Sequence, residues 1–365
     1  MTKLLYILPE YRENAHTHFS YIPPFLSKVG ESLDIALLIE RGEKPDIKNI
    51  SYVSICPNIP ILRQIILSAH IISARMRGYK TVYVHYSFMS AFVASVVMRT
   101  TGGKVFYWNC GLPWKYTRPF LRDIFERLVY KFVTHVVTGT PKLAERYAEE
   151  YLLSKKKVLV MPNWIDIEET RRTAGHDDKS QVRTALGLPK DTSIVLFAHR
   201  LSERKGAQYL PDIALMLPKD VTLIVIGDGP LKETIEKQFA ELGVEGRVQM
   251  YGWQSHRTVL KFMAVSDVFL MPSDEEGFPH VLLESMVLGL PFVATAVGGV
   301  PEIVSPKVPN FLVAPHDVKG VRDTIELQLV LPDSLRKVWL KETLDWVKQY
   351  DIGRIAQLFI SMVRS

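Results

Sequence analysis

Cysteine is scarce in this 365-residue chain: Cys56 and Cys110 are the only two. Two cysteines build no disulfide framework and suit a reducing compartment. Long apolar runs are missing as well. The longest, Phe88 to Met98, is too short to span a bilayer. No leader-like segment opens the sequence, because Met1-Thr2-Lys3 runs straight into the strand-like Leu4–Leu8. These absences point to a cytoplasmic protein. Short-period repeats, low-complexity tracts and Asp-x-Asp are absent, and no G-x-G-x-x-G follows the first strand of either half. The last absence argues against a dinucleotide-binding dehydrogenase. Helix-turn-helix, zinc-finger and RNA-binding signatures are lacking too, so no nucleic-acid partner is expected.

What is present is an ordinary globular composition, 47% hydrophobic and 23% charged. The net charge of +6 is unevenly placed. Residues 1–180 hold about 25 Lys and Arg against about 17 Asp and Glu, and the remainder about 20 against about 22. Such a field in the first half suits an anionic membrane surface or an anionic acceptor. Helix candidate Ile61–Arg77 mixes Ile, Leu and Ala with Arg63, Arg75 and Arg77, and Trp108 to Arg122 interleaves aromatics with cations. Stretches of that kind can lie in a membrane interface.

The N-terminal half alternates strand candidates (Leu4–Leu8, Ile35–Ile39, Tyr52–Ile55, Val82–His85, Val105–Trp108, His135–Thr138, Val158–Met161) with helix candidates (Ile61–Arg77, Ser90–Arg99, Pro119–Phe132, Pro141–Tyr151). Strands continuous in Val, Ile and Leu, separated by helices, argue for a parallel sheet covered on both faces. From Asp166 to Asp191 the chain turns polar and reads as a linker. A second alternation follows, from Ile194–Phe197 to Phe292–Thr295. The expected fold class is α/β, with two Rossmann-like domains facing across a cleft.

In the second half the chemistry gathers at strand ends. Arg200 and Lys205 follow the first strand and suit a diphosphate, Arg by bidentate hydrogen bonding and Lys as a point charge. Gly227-Asp228-Gly229-Pro230 and Gly298-Gly299 close later strands, where glycine allows close backbone approach. Asp274-Glu275-Glu276-Gly277-Phe278-Pro279-His280-Val281 joins the strand Val268–Met271 to an apolar helix. Pro279 suits its first turn, and Gly289 with Pro291 its stop. A helix N-terminus there favours an anion. Glu276 and Glu284, eight residues apart, are separated by on the order of 12 Å if the rise is helical. That reaches two ends of an elongated ligand and is too far for a shared acid–base pair.

Taken in order, Pro162-Asn163-Trp164-Ile165-Asp166, Arg200-Leu201 with Lys205-Gly206, Gly227 to Pro230, Tyr251-Gly252, Ser266-Asp267 with Pro272-Ser273, Glu276-Gly277-Phe278-Pro279 with Glu284, Gly289-Leu290-Pro291, and Gly298-Gly299 with Glu302 resemble glycosyltransferase family 4. These are retaining, nucleotide-sugar-dependent enzymes of the GT-B fold. The resemblance covers roughly residues 157–315. It implies domains at 1–170 (acceptor, with a crossing helix at 346–365) and 171–345 (donor). Arg200, Lys205 and Glu276 would be catalytic, the cations stabilising the leaving diphosphate and Glu276 contacting sugar hydroxyls. Glu284 would hold the ribose, and Gly227, Gly252, Trp253, Gly277, Phe278, His280 and Val281 would complete the donor site. No metal and no cofactor is implied beyond the nucleoside-diphosphate sugar, taken as donor substrate. The implied reaction moves a hexose-type sugar to a glycan or lipid-linked acceptor in cell-surface polysaccharide or glycoconjugate synthesis. The enzyme could sit at the inner face of the membrane. A catalytically impaired partner subunit and a GT-B nucleotide-sugar epimerase are the alternatives.

The N-terminal half departs from the family. Where a glycine pair usually follows the first strand, this chain has Glu13-Asn14-Ala15-His16-Thr17-His18, and Asn109-Cys110-Gly111 stands where many members have a histidine. His18, His85 and Asn109 are the candidates for acceptor or sugar contact. An apolar stripe of Ile355, Leu358, Phe359 and Met362 marks the closing helix.

Overall fold

Continuous apolar runs such as Leu4–Leu8 and Leu223–Ile226 leave no polar face for solvent, so each must be covered on both sides. In the computed structural model they become central strands of two all-parallel sheets. The structure describes residues 1–12, 18–175, 177–307 and 311–365, without the side chains of His18 and Ser20. The loop Glu13–Thr17 lies outside the described residues. The chain divides into two units, Met1–Pro162 with Ile352–Ser365, and Asn163–Asp351.

Unit 1 is a seven-stranded sheet: β1 (Thr2–Leu8), β2 (Leu33–Ile39), β3 (Tyr52–Ile55), β4 (Thr81–His85), β5 (Lys104–Trp108), β6 (His135–Thr138) and β7 (Val158–Val160). Their order is β3-β2-β1-β4-β5-β6-β7. Its helices are α1 (Ile22–Val29), α2 (Pro60–Met76), α3 (Phe88–Thr101), α4 (Phe120–Phe132) and α5 (Pro141–Glu150). The strand β3 leads through α2 to β4, α3 to β5, and α4 to β6, always in the same direction across the sheet. Right-handed crossovers therefore lay α2, α3 and α4 side by side on one face.

Unit 2 begins with α6 (Ile167–Ala174) and α7 (Lys179–Ala185). Its strands are β8 (Ser193–Ala198), β9 (Val221–Ile226), β10 (Val248–Gly252), β11 (Val268–Met271), β12 (Phe292–Thr295) and β13 (Leu312–Val313). Between and after them run α8 (Leu210–Met216), α9 (Lys232–Glu241), α10 (His256–Val265), α11 (His280–Leu288), α12 (Val300–Ile303), α13 (Val318–Leu329) and α14 (Asp333–Val347). The strand order is β10-β9-β8-β11-β12-β13. The order reverses between β8 and β11, and in such sheets ligands bind beyond the strand carboxyl ends at that reversal. A last helix, α15 (Ile352–Arg364), belongs to unit 1, where Phe359 packs its ring on Phe25 and Tyr83.

Several expectations need correction. The polar stretch 166–191 is not a linker. Asp166 caps α6 by accepting from the Glu169 amide, and Asp178 caps α7 by accepting from the amides of Ser180 and Gln181. Its Arg183 is buried, donating to the carbonyls of Val265 and Thr192 and to Asp267. A polar composition there reflects capped helices and one buried cation. The units divide at Pro162/Asn163 and Asp351/Ile352 rather than at 170/171 and 345/346. Trp346 stays with unit 2, where its indole donates to the carbonyl of Ile303 at 2.7 Å. In α15 the buried face is Ile355, Ala356, Phe359, Ile360 and Val363, while Leu358 is exposed.

Candidate active site

The two loops that follow β8 and β11 meet at the strand-order reversal of unit 2. After β8 the chain passes through His199-Arg200-Leu201-Ser202 into a short 3-10 turn, Glu203–Lys205, and then Gly206. Gly206 is left-handed at φ +69°, and a Cβ on it would lie 1.8 Å from the carbonyl oxygen of Pro272. Only glycine permits that approach. The close approach holds the β8 loop against the β11 loop, and with it Lys205 against Glu276.

Lys205 Nζ donates to Glu276 Oε1 at 2.7 Å, with both side chains buried. Ser273 Oγ donates to the same oxygen at 2.8 Å. Burial pushes the Glu276 pKa up, but the Lys205 charge and the hydrogen bonds from Lys205 and Ser273 more than offset it and hold the carboxyl below its ordinary range. His199 Nε2 stands 3.6 Å from Glu276 Oε1. Burial, then the neighbouring Lys205 charge, pushes His199 down to about 3. Its Nδ1 accepts from the Arg200 amide at 2.9 Å, so the neutral ring carries its proton on Nε2, toward Glu276. Lys205 and Arg200, both expected at a diphosphate, differ in burial and partners. The Arg200 side chain is exposed and makes no hydrogen bond or ion pair among the described residues.

Glu276 leads through Gly277, Phe278 and Pro279 into α11. Pro279 is the N-cap residue, one position before the first turn, and supplies no side-chain cap. The first amides of α11, those of His280 and Val281, point out of the helix start rather than into its own hydrogen-bond ladder. Phe278 is fixed from both sides. Its carbonyl accepts from Asn163 Nδ2 at 2.8 Å, and its ring packs edge-on against Tyr350 at 5.3 Å. One turn into α11, Glu284 is buried, and His256 Nε2 lies 2.5 Å from its Oε1. Burial lowers the His256 pKa, but the hydrogen bond to Glu284 and its charge outweigh that and raise it.

The glycines divide by role. Gly227 is at φ +141°, and a Cβ there would sit 1.9 Å from the His199 carbonyl oxygen. A Cβ on Gly298, at φ +52°, would sit 1.7 Å from the Glu276 carbonyl oxygen. Both therefore permit loop-on-loop contact inside the site, where a ligand-facing role was the expectation for Gly227. Gly252 is left-handed at φ +62° with open space about it, next to the exposed Trp253.

In unit 1 the acceptor candidates behave differently. His85 is buried at the end of β4, its Nδ1 2.9 Å from the Tyr6 hydroxyl and its ring stacked on Trp108 at 4.2 Å. Asn109 spends both polar ends internally, donating to the Tyr130 hydroxyl at 3.0 Å and accepting from the Gly111 amide at 2.9 Å. An acceptor hydroxyl would have to displace one of those bonds. His18 opens a 3-10 turn, His18–Tyr21, and its side chain lies outside the described residues. Among the described residues no group of three or more His, Cys, Asp or Glu side chains is placed to hold a metal ion.

Sequence reasoning missed His199, His256 and Ser273. Ser273 lay within a quoted motif, and His199 directly precedes Arg200, but nothing along the chain ties His256 to a glutamate 28 residues on.

Two parallel-sheet Rossmann-like units with a C-terminal helix returned to the first define the GT-B fold of glycosyltransferases. Crystalline HepE from Anabaena, solved in complex with UDP, matches with a TM-score of 0.80 at 20% identity, over 99% of each chain. More particularly, residues 178–343 match the model of the family Glycosyl transferases group 1. The chain is 34% identical over 201 residues to the lipopolysaccharide core biosynthesis glycosyltransferase LpsE of Rhizobium meliloti (strain 1021), covering 55% of each. It is 30% identical over 210 residues to a D-inositol 3-phosphate glycosyltransferase of Xylanimonas cellulosilytica, covering 56% of this chain and 50% of that one. The chain thus spans about half the length of the curated relatives it matches.

Proposed function

We propose that this protein is a retaining glycosyltransferase of family 4 that moves a hexose-type sugar from a nucleoside-diphosphate sugar to a glycan or lipid-linked acceptor. The observation that carries the reading is the buried Lys205–Glu276 pair at the strand-order reversal, beside a helix start with no side-chain cap. The diphosphate lies at the N-terminus of α11, where backbone amides and the helix dipole favour an anion. Arg200, exposed and unpaired among the described residues, closes on the phosphate oxygens. Lys205 neutralises the charge that develops as the sugar–phosphate bond breaks. Glu276 receives the sugar hydroxyls, and Glu284, steadied by His256, receives the ribose. The sugar passes through an oxocarbenium-like transition state, and the acceptor attacks from the face the phosphate leaves, whose oxygen takes the acceptor's proton. No enzymic nucleophile enters this scheme. The similarity to a lipopolysaccharide core biosynthesis glycosyltransferase and to a D-inositol 3-phosphate glycosyltransferase supports a surface-glycan or glycoconjugate acceptor.

A second reading, a donor-binding partner subunit without transfer activity, draws on the internally satisfied Asn109 and His85. A thermal-shift panel of nucleoside diphosphates and nucleotide sugars, followed by transfer assays, separates the two. A ligand that binds only the folded state raises its stability by mass action. A nucleotide shift together with sugar transfer supports the enzyme, and a shift without turnover supports the subunit. No shift with any nucleotide refutes both.

A further inference from the structure

Between Asp46 and Asp123 the sequence has no acidic residue and ten cations. That stretch contains the whole of α2 and α3 and leads into α4, the three helices laid side by side on one face of unit 1. Helices covering a sheet ordinarily turn a polar face outward. Here the outward positions are apolar. On α2, Ile61, Leu62, Ile65, Ile72 and Met76 are exposed, Ile61 and Met76 at 78% and 84%. They form a stripe at helical spacing opposite the buried Leu67, Ile71 and Ala74. On α4, Phe120, Leu121, Ile124 and Leu128 repeat the pattern, with Phe120 and Leu121 at 77% and 79%. Between them α3 exposes Met89 and Val96.

The charged groups on α2 and α3 have one sign, and the acids Glu145, Glu149 and Glu150 of the neighbouring α5 are paired with Lys155 and Arg146. Arg75, Arg77, Arg99 and Lys131 stand at or near the C-terminal ends of the three helices, with Lys80 and Lys104 at the starts of the following strands. Part of this is local stabilisation: Arg99 donates to the carbonyl of Phe132, as Arg75 does to that of Thr101. Capping leaves the charge in place, however. The face has two acids on α4, and both are neutralised: Glu126 by Arg118 and Arg122, and Asp123 by Arg127. No helix among the described residues is long and apolar enough to cross a membrane.

We infer that the outer face of α2, α3 and α4 is a docking surface for an anionic lipid bilayer. Ile61, Ile65, Phe120 and Leu121 enter the headgroup region, and the surrounding arginines and lysines meet lipid phosphates. A second copy of this chain is the less suitable occupant, because two such faces would bring like charges together. The inference stands apart from the donor-site reading, since none of its residues belongs to unit 2.

Flotation of the full chain with vesicles tests it. Binding is expected to phosphatidylcholine vesicles that contain phosphatidylglycerol and not to phosphatidylcholine alone, and to weaken as salt rises. Neutralising Arg77, Arg99 and Arg122 to Gln should weaken it roughly fivefold per charge, about a hundredfold together. Ile61→Ser/Ile65→Ser/Leu121→Ser should abolish binding while leaving the melting transition and its shift by nucleotide unchanged, since these side chains are exposed. The control Leu327→Ser/Leu335→Ser/Val338→Ser, at side chains also exposed but on unit 2, should bind as the parent does. Absent vesicle binding, equal binding to neutral vesicles, or equal loss in the control triple overturns the inference. So does a dimer in solution that the first triple converts to monomer.

Discussion

Replacing Lys205 by Met removes one half of a buried ion pair and exposes what the other half costs. Glu276 would keep only the Ser273 hydroxyl at 2.8 Å and the His199 ring at 3.6 Å. Breaking a buried pair by removing one partner costs about 3–5 kcal/mol. A proton limits the loss. Burial is the largest influence on the Glu276 pKa and pushes it up, and the Lys205 charge is the largest of those that counter it. The same charge helps hold His199 at about 3. Without Lys205, Glu276 and His199 titrate as a coupled pair and take up one proton between them.

The sign of the pH dependence therefore inverts. In the parent the folded Glu276 pKa lies below its unfolded value. Its contribution is present above the unfolded pKa and is lost as pH falls through the folded one. In Lys205→Met the pair's folded pKa lies above the unfolded carboxylate value. Its contribution is complete at low pH and is lost as pH rises through the pair's apparent pKa. Lys205→Met/Glu276→Leu removes both charges, and its stability should return to within about 1 kcal/mol of the parent or exceed it. Both variants, and the single Glu276→Leu that completes the cycle, should lose sugar transfer. Urea unfolding from pH 4 to pH 9 measures the stabilities, and the double-mutant cycle gives the coupling. Additive effects, or a Lys205→Met stability that rises with pH as the parent's does, would refute the reasoning.

Three further outcomes follow from the geometry. Arg200→Ala should leave stability within about 0.5 kcal/mol, because the side chain is exposed and unpaired among the described residues, yet lower turnover roughly a hundred- to a thousandfold; unfolding and initial-rate measurements check both halves. Gly298→Ala would force a Cβ within 1.7 Å of the Glu276 carbonyl oxygen at φ +52°, costing about 1–3 kcal/mol and reducing turnover through a displaced Glu276; unchanged kinetics in a destabilised variant would separate the loop contact from the chemistry. The raised folded pKa of His256 means that its hold on Glu284 is complete at low pH and is lost as pH rises through that pKa. Nucleotide-sugar affinity should decline over that rise in the parent and be flat in His256→Ala, as read by calorimetric titration.

Much of the fold was legible because a buried parallel strand has to be an apolar run. Tyr52–Ile55, His135–Thr138, Val268–Met271 and Phe292–Thr295 could be bounded to the residue on that ground alone. The helices α6 and α7 were not, because their sequences are mostly polar and they bury few apolar side chains. Asp166 and Asp178 begin them, and an aspartate followed by polar residues reads equally as a turn. The same ambiguity hid Arg183. A buried arginine bonded to three backbone carbonyls and a carboxylate is indistinguishable along the chain from a solvated one.

The two glutamates show where spacing stops being informative. Eight residues apart, with one in a loop and one in a helix, they could be separated along the chain and assigned to two ends of a ligand. What spacing cannot express is that each faces a histidine from another element, and that the two histidines are in opposite states. His199 is neutral because burial and Lys205 disfavour its charge, with its Nε2 proton turned toward Glu276. His256 is half exposed and favours its charge because Glu284 is its partner. Near neutral pH the end of the site built on Glu276 already holds a buried Lys205 cation and admits no second. The end built on Glu284 gains its cation from solution. Acidification through the raised His256 pKa should therefore strengthen the hold on Glu284 while leaving the Lys205–Glu276 pair intact. On the proposed donor reading, the two ends of the site should then respond to pH independently: at low pH nucleotide affinity should be lower in His256→Ala than in the parent, while the turnover of bound donor stays unchanged. A turnover that falls in parallel with affinity would show that the two carboxylates act as one unit.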